Sequence, residues 1–184
     1  MSRASKITER EFNKLVRANE VTELSNDDLI TMLDGKTRIV PYDELKGVKS
    51  IEELLHPYGN VIILYLATPN SGHWCTIIDR GNHYEFFDSY GYSVDEVLPL
   101  MPASGKIPRL RRLLQKTNKL VLWNPYELQG SGREIATCGY YCFLRITYKD
   151  MPLLEFIDLF LDKKKSPDYI ASLLTTLIAI ENVL

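Results

Sequence analysis

The stretch HWCTIIDRGNHYEFFD, residues 73–88, has the strongest local signal for the fold of this chain. It contains two short runs rich in β-branched and aromatic residues, 73–79 and 83–88, which are typical of β-strands. The residues Gly81 and Asn82 lie between the runs and are a signal for a two-residue hairpin turn of type II′. The sequence therefore predicts two antiparallel strands joined by a tight turn.

The position of this turn determines which side chains meet across the hairpin. Arg80 is predicted to pair with His83, and counting outward then places Cys75 opposite Asp88. Side chains two residues apart share a face, so His73 and Asp88 become diagonal neighbours, roughly 7–8 Å apart between backbones. A hydrogen bond between His73 and Asp88 is then within reach. A register slip of one residue would place the two on opposite faces.

Further elements are predicted on either side of the hairpin. Residues 61–66, VIILYL, form an uninterrupted apolar run that is typical of a strand covered on both faces. Residues 120–123, LVLW, predict another strand, after a helix around residues 110–115. Helices are predicted in the C-terminal part from Cys138 to Lys149, Leu153 to Leu161 and Tyr169 to Ile180.

The N-terminal third is predicted to be helical. Thr8 with Glu11, and Ser25 with Asp28, form two capping boxes before apolar residues, and Gly35 can end the second helix. Helices, then strands, then helices indicate an α+β fold with a central mixed β-sheet flanked by helices. At 184 residues we expect one domain. It divides into a helical part (1–60), a core (61–149) and C-terminal helices (150–184).

Composition limits the classes of function. Apolar residues make up 45% and charged residues 25%, which is typical of a soluble globular protein. A net charge of -2 provides no global basic field, and the basic residues between Lys106 and Lys116 are typical of a solvated helix face, so nucleic acid is not a predicted partner. No apolar run is long enough to span a bilayer, and residues 1–6 do not resemble a secretory signal. Three cysteines cannot all pair, which favours reduced thiols inside a cell.

Cys138 is the candidate nucleophile. A nucleophilic thiol must ionise, and both a helix N-terminus and a neighbouring imidazole favour the thiolate. Cys138 lies where the loop 129–137 turns into an apolar helix, and Gly139 beside it permits close approach of backbone or substrate. Cys142, one turn later, is predicted to be core.

Each candidate also has an ordinary interpretation. Cys138 alone could be a small buried hydrophobic residue, His73 a hydrogen-bonded residue at a strand start, and Asp88 the cap of a turn. His56 and His83 are predicted to be structural. Together, however, a thiol, an imidazole and an orienting acid make up a nucleophilic triad. The combination favours catalysis over the separate structural interpretations.

Four ordered motifs resemble one known family, the adenain and ubiquitin-like-protein-specific cysteine proteases. The resemblance covers roughly residues 61–149, and the order His, Asp, Gln, Cys separates this group from papain-like enzymes, where the cysteine comes first. The acid is Asp, as in the ubiquitin-like-protein proteases, where adenain has Glu. The loop from Gln129 to Cys138 is slightly longer than in adenain. The motifs are Gly72-His73-Trp74, Phe87-Asp88-Ser89-Tyr90-Gly91, Leu128-Gln129-Gly130 and Thr137-Cys138-Gly139-Tyr140-Tyr141-Cys142.

This resemblance implies roles for five residues. Cys138 would attack the scissile carbonyl, His73 would act as its base, and Asp88 would orient His73. Gln129, with the backbone N–H of Cys138, would donate to the oxyanion. Trp74 would narrow the cleft so that only small residues fit before the cut, although plain core packing is an equal alternative for it.

The resemblance also implies an activity. We expect a cysteine endopeptidase of the adenain-like fold that cuts after small residues, at Gly-X or Gly-Gly sites, most like a virus or virophage protease that processes capsid and core precursors during virion maturation. The alternatives are an isopeptidase acting on ubiquitin-like proteins, a clan-related acetyltransferase, and an inactive binding module. Neither cofactor nor metal is expected, nor activation by DNA, and an activating peptide is left open. We expect a monomer in the host cytoplasm or viral factory, or packaged in the virion.

Overall fold

A five-stranded mixed β-sheet runs through the centre of the protein in this computed structural model, which describes residues 7–132, 135–161 and 164–181. Strands β2, β3 and β4 are antiparallel neighbours, whereas β1 runs parallel to β2 and β5 parallel to β4. The predicted α+β fold with a mixed sheet is therefore confirmed. The strands lie in sequence order and are β1 (Arg38–Pro41), β2 (Asn60–Thr68), β3 (Ser71–Asp79), β4 (His83–Asp88) and β5 (Leu120–Trp123).

Helices precede, interrupt and follow the strands. The seven described α-helices are α1 (Glu9–Val21), α2 (Asn26–Met32), α3 (Ile51–Leu55), α4 (Arg109–Leu114), α5 (Cys138–Thr147), α6 (Leu153–Asp158) and α7 (Pro167–Glu181). Short 3₁₀ segments lie at Tyr42–Gly47, Leu98–Leu100 and Pro102–Ser104. None of the helices within residues 7–132, 135–161 and 164–181 is long and apolar enough to cross a membrane.

The hairpin of β3 and β4 has the predicted register. Cys75 is the partner of Asp88, and the Arg80 N–H donates to the His83 carbonyl over 2.9 Å. Gly81 has a φ of +82°, a conformation that glycine adopts without steric cost. Because the turn sets the register, this hairpin alone brings His73 and Asp88 to one face of the sheet.

The sheet is covered on both faces. One face buries Ile63, Tyr65 and Ile77 against α3, α4 and the 3₁₀ segments. The other face buries Ile62 and Phe87 against α5, α6 and α7. Strand β2 is therefore buried on both sides, as its uninterrupted apolar run predicts.

A buried ion pair ties α5 to the sheet. The guanidinium of Arg145, on α5, donates to both carboxylate oxygens of Glu85 on β4, over 2.6 and 3.0 Å. Arg145 also donates to the carbonyls of Tyr148 and Met151. Since β4 ends at Asp88 and α5 begins at Cys138, this pair helps to hold one strand end relative to the helix start.

The N-terminal expectation is only partly correct. Both capping boxes form, and Gly35 follows α2 with a φ of +65°. The prediction of a helical part at 1–60 is wrong for Arg38–Pro41, which forms β1. Four residues are too few to show a period, and their hydrogen bonds come from β2, so the local pattern has no signal for this strand.

The predicted helix ends differ slightly from the observed ones. Helix α5 ends at Thr147 rather than at Lys149, and α6 ends at Asp158 rather than at Leu161. Helix ends fray into turns, so periodicity alone places them poorly. The expectations for residues 1–6, and for Arg133 and Glu134 in the loop before Cys138, lie outside the described residues.

Candidate active site

His73 and Asp88 form a buried hydrogen-bonded pair, with Nε2 of His73 2.9 Å from Oδ1 of Asp88. Their side chains are 2% and 0% exposed. The predicted bond is therefore confirmed. Asp88 accepts two further hydrogen bonds, from the Tyr90 N–H to Oδ1 over 2.7 Å and from the Cys75 thiol to Oδ2 over 3.3 Å. These donors hold the carboxylate in one orientation, and through it the imidazole ring.

Asp88 also determines the charge of His73. Burial by itself lowers the pKa of His73, but the negative charge and hydrogen bond of Asp88, with the nearby Cys138 thiol, raise that pKa to about 10. At neutral pH the imidazolium form is thus favoured. Nδ1 of His73 has no hydrogen-bond partner of normal geometry among the residues that the structure describes. Since Nε2 is taken by Asp88, Nδ1 is the nitrogen that can exchange a proton with Cys138.

Cys138 is the first residue of α5 and lines a surface cleft. It is 8% exposed, whereas Cys75 is 0% and Cys142 1% exposed. Burial raises the pKa of both Cys75 and Cys142 well above the ordinary value for a thiol, which keeps those two protonated. Of the three cysteines, all within the described ranges, Cys138 is the one that lines the cleft.

Gln129 is held on the same cleft by Ser89. The Ser89 hydroxyl donates to Oε1 of Gln129 over 2.8 Å, and the Ser89 carbonyl accepts from the Gln129 backbone N–H over 2.9 Å. Nε2 of Gln129 has only a long contact, 3.3 Å, with the Tyr90 hydroxyl. The side-chain carbonyl is therefore held by Ser89, and among the described residues Nε2 has no shorter hydrogen bond than the one to Tyr90, so its N–H groups can donate to a bound substrate.

Tyr90 contacts His73, Asp88 and Gln129. Its ring stacks on the imidazole of His73, with centroids 4.4 Å apart and planes at 26°. Burial, followed by the nearby charges of Cys138 and Asp88, raises the pKa of Tyr90 to about 12, so its hydroxyl stays protonated. Tyr90 belongs to a motif named above, but the residue pattern does not assign it a role.

The cleft has a volume of about 680 Å³ and Trp74 forms part of its wall. The Trp74 indole N–H donates to the Leu24 carbonyl over 3.3 Å, and most of its ring is buried in the core. Gly139 is buried, and a Cβ there would lie 3.1 Å from the Leu24 Cβ. The structure thus places Trp74 on the cleft and Gly139 under Leu24, the residue between α1 and α2 that packs on the start of α5.

The side chains of His73, Cys75 and Asp88 resemble a metal site in one respect, because their ligand atoms all lie within 4.8 Å of one another. In this arrangement the Cys75 thiol donates to Asp88, and Asp88 accepts from His73. A metal would need an ionised Cys75, which burial opposes, and would break the His73–Asp88 bond. We therefore interpret these three residues as a hydrogen-bonded cluster rather than as a metal centre.

Comparison with known proteins connects the chain to a virophage. It is 34% identical over 173 residues to protein V9 of Sputnik virophage, a match that covers 88% of this chain and 99% of V9. The chain belongs to the V9 family. Membership of this family establishes common descent, and the chemistry is argued from the geometry of the site. No protein-family model matches the chain.

Three solved structures are similar at low identity. The ASFV pS273R protease is 15% identical, with a TM-score of 0.48 and coverage of 84% of this chain and 69% of that chain. The SUMO protease Ulp1 is 15% identical, with a TM-score of 0.40 and coverage of 100% and 88%. ChlaDub1 from Chlamydia trachomatis is 16% identical, with a TM-score of 0.39 and coverage of 89% and 81%. The assignment of the site rests on its geometry and not on these similarities.

Asn124 is a site residue that the sequence reasoning did not identify. It is fully buried just after β5, and its side-chain N–H donates to the Asp88 carbonyl over 2.8 Å. Its carbonyl oxygen accepts from the Tyr126 N–H over 2.9 Å. Asn124 thus fixes the backbone of Asp88 through a contact between segments far apart in sequence, for which local patterns hold no signal.

Proposed function

We propose that this protein is a cysteine peptidase with Cys138 as nucleophile, His73 as base, Asp88 as the acid that orients His73, and Gln129 as an oxyanion donor. The observation that carries this proposal is the buried His73–Asp88 pair beside a cysteine that begins a helix and lines a cleft. An imidazolium and a helix N-terminus both favour a thiolate, the reactive form of cysteine.

The chemistry follows from these positions. The Cys138 sulfur forms a bond to the substrate carbonyl carbon, and the π electrons move to the oxygen, which accepts from Gln129 Nε2 and the Cys138 N–H. The proton on Nδ1 of His73 passes to the leaving amine as the peptide bond breaks. Neutral His73 then takes a proton from water, whose oxygen attacks the acyl-enzyme and releases the acid and the thiolate.

The proposed substrate class comes from the resemblance to the adenain and ubiquitin-like-protein-specific cysteine proteases. Trp74 and Tyr90 both line it beside Cys138 and Gln129. Two aromatic side chains in this wall support the expected preference for small residues, so cleavage is proposed after glycine, at Gly-X or Gly-Gly sites in protein substrates. The V9 relative supports a viral setting, and the proposed substrates are capsid or core precursors cut by a monomeric enzyme during virion maturation, in the host cytoplasm, viral factory or virion.

Cleavage of a substrate panel tests this proposal. The panel contains peptides and full-length fusions with Gly-Gly-X and Gly-X-Gly sites, and fusions of ubiquitin-like proteins that end in Gly-Gly. We expect the wild type to cut and Cys138→Ala to be inactive. Preference within the panel separates precursor processing from an isopeptidase activity. Cleavage by Cys138→Ala at the wild-type rate would contradict the assigned nucleophile.

Labelling with a thiol-directed probe provides an independent test, with two internal controls. We expect iodoacetamide to label Cys138 in the folded protein, while Cys75 and Cys142 react only after denaturation, because burial keeps those two protonated and covered. Equal labelling of all three in the folded protein would contradict the site. If Cys138 is labelled selectively but no peptide is cut, acetyl-CoA dependence tests the acetyltransferase alternative.

A further inference from the structure

Asp168 bonds to both ends of the loop that joins Gln129 to Cys138. It lies in the first turn of α7 and is buried. Its Oδ2 accepts from the Gly130 N–H over 2.9 Å, and its Oδ1 accepts a short hydrogen bond from the Thr137 hydroxyl. One carboxylate thus touches the residue directly after Gln129 and the residue directly before Cys138.

The glycine at position 130 makes this contact possible. A Cβ on Gly130 would lie 3.3 Å from Oδ2 of Asp168 and 2.9 Å from Cδ1 of Ile135. A side chain there would require the end of the Ile135 side chain to shift and would crowd the Asp168 carboxylate. The far part of the loop has a second attachment, since the Ala136 N–H donates to the Glu20 carbonyl of α1 over 3.0 Å.

Burying a carboxylate is unfavourable unless hydrogen bonds compensate for the lost hydration. Burial raises the pKa of Asp168, and the hydrogen bonds from Thr137, Gly130 and Tyr141 only partly oppose that rise. The Asp168 carboxylate thus lies in an environment that disfavours its charged form, and its compensating donors include the Gly130 N–H and the Thr137 hydroxyl. Ser131 and Gly132, further along the loop, are exposed at the surface. The bonds to Asp168 are thus made at the two loop ends, next to the reacting groups.

We propose that Asp168 is a positioning residue that sets the distance between the Gln129 amide and the Cys138 backbone N–H. This inference rests on the proposed function, because those two groups form the oxyanion site there. The carboxylate bridges the ends of the loop, so the donors keep their spacing even though Ser131 and Gly132 between them are exposed. Removing the bridge leaves each donor in place chemically but lets their separation vary.

Asp168→Ala tests this proposal, with Asp158→Ala as the matched control because Asp158 is an exposed acid on α6. We expect Asp168→Ala to lower kcat by about 10- to 100-fold, part of the roughly 10²–10³ that a lost oxyanion donor costs, while KM changes by less than about threefold. Asp158→Ala should match the wild type. Rates are expressed per active site titrated by a thiol probe, so a loss of folded enzyme alone does not change them.

Two further variants separate positioning from a general structural role. Asp168→Asn keeps an acceptor for Gly130 and can bond to Thr137, so it should recover most of the activity. In a Gln129→Ala background, Asp168→Ala should cost less than about threefold, because the two residues act through one oxyanion site. The same loss of kcat in both backgrounds would overturn the proposal.

If Asp168→Ala does not fold, Thr137→Val removes one of the two bridging bonds and keeps the side-chain shape, with Thr137→Ser as the rescue variant. We expect Thr137→Val to lower kcat per active site and Thr137→Ser to restore it. An unchanged kcat in Thr137→Val would contradict the inference. Wild-type enzyme that cuts nothing contradicts the proposed function itself, whereas active wild type beside equally active Asp168→Ala contradicts this inference alone.

Discussion

Replacing Gln129 with glutamate tests the proposed oxyanion site by a nearly isosteric change. Glutamate keeps the oxygen that accepts from the Ser89 hydroxyl over 2.8 Å and loses the N–H donor. Among the described residues the lost resting contact is a 3.3 Å bond to Tyr90, but Gln129 is 2% exposed, so burying the new carboxylate also costs stability. Loss of one oxyanion donor costs about 10²–10³ in kcat, or about 2.7–4 kcal/mol, and the added negative charge opposes the oxyanion further. We expect kcat to fall at least about 100-fold.

Steady-state cleavage of the best peptide from the panel, expressed per titrated active site, measures this loss. Gln115→Glu is the matched control, since Gln115 is exposed at the end of α4 and the variant has the same change in charge. Alkylation of Cys138 forms no oxyanion, so its rate should change far less than kcat in Gln129→Glu. A kcat within about threefold of the wild type would refute the role of Gln129.

Three further predictions concern the stability of the folded protein. The pKa of His73 is raised to about 10, so its contribution to stability is full below pH 6.5 and is lost as the pH rises to about 10. Urea unfolding between these pH values should show a fall in the free energy of unfolding that the His73→Gln variant lacks. Parallel pH dependence of the two proteins would contradict this prediction. Arg145→Met should cost about 1–3 kcal/mol of unfolding free energy, less than the roughly 3–5 kcal/mol of a fully unpaired buried charge, because Arg80 still pairs with Glu85 over 2.8 Å. Arg80→Met in the Arg145→Met background should cost more than Arg80→Met alone, and equal costs in the two backgrounds would contradict the shared ion pair. Gly72→Ala should lower the free energy of unfolding by at least about 2 kcal/mol, because its Cβ would lie 2.1 Å from the Tyr65 carbonyl oxygen. Gly47→Ala, whose Cβ would have no described atom within 4 Å, should be neutral. Equal stability of the two variants would contradict the contact.

Local sequence signals correctly predict the β3–β4 hairpin and the closeness of His73 and Asp88. The turn at Gly81 and Asn82 specified the pairing of β3 and β4, and the pairing placed His73 within hydrogen-bond distance of Asp88. Cys138 was likewise predicted at a helix start, where α5 begins. These features depend on residues close in sequence, or on a short turn that fixes a register by counting. The catalytic roles of these residues remain predictions that the experiments above test.

The two edge strands of the sheet depend on contacts between segments far apart in sequence. Strand β1 has too few residues to show a period and exists because β2 supplies its partner. The prediction of a strand at Leu120–Trp123 is correct, but this strand lies at the edge of the sheet and Leu120 is exposed. An apolar pattern does not show which neighbour covers a strand, so its edge position could not be predicted.

Turns, caps and alternation act over a few residues, so the sequence predicts the order of the elements apart from β1, the hairpin register and the candidate site residues. Three contacts are visible only in the folded protein: Ser89 orients Gln129, Asn124 holds the Asp88 backbone, and Asp168 joins the two ends of the loop before Cys138. Such hydrogen bonds connect groups that meet only after the chain has packed. Their partners are fixed by three-dimensional distance, which no spacing along the chain records.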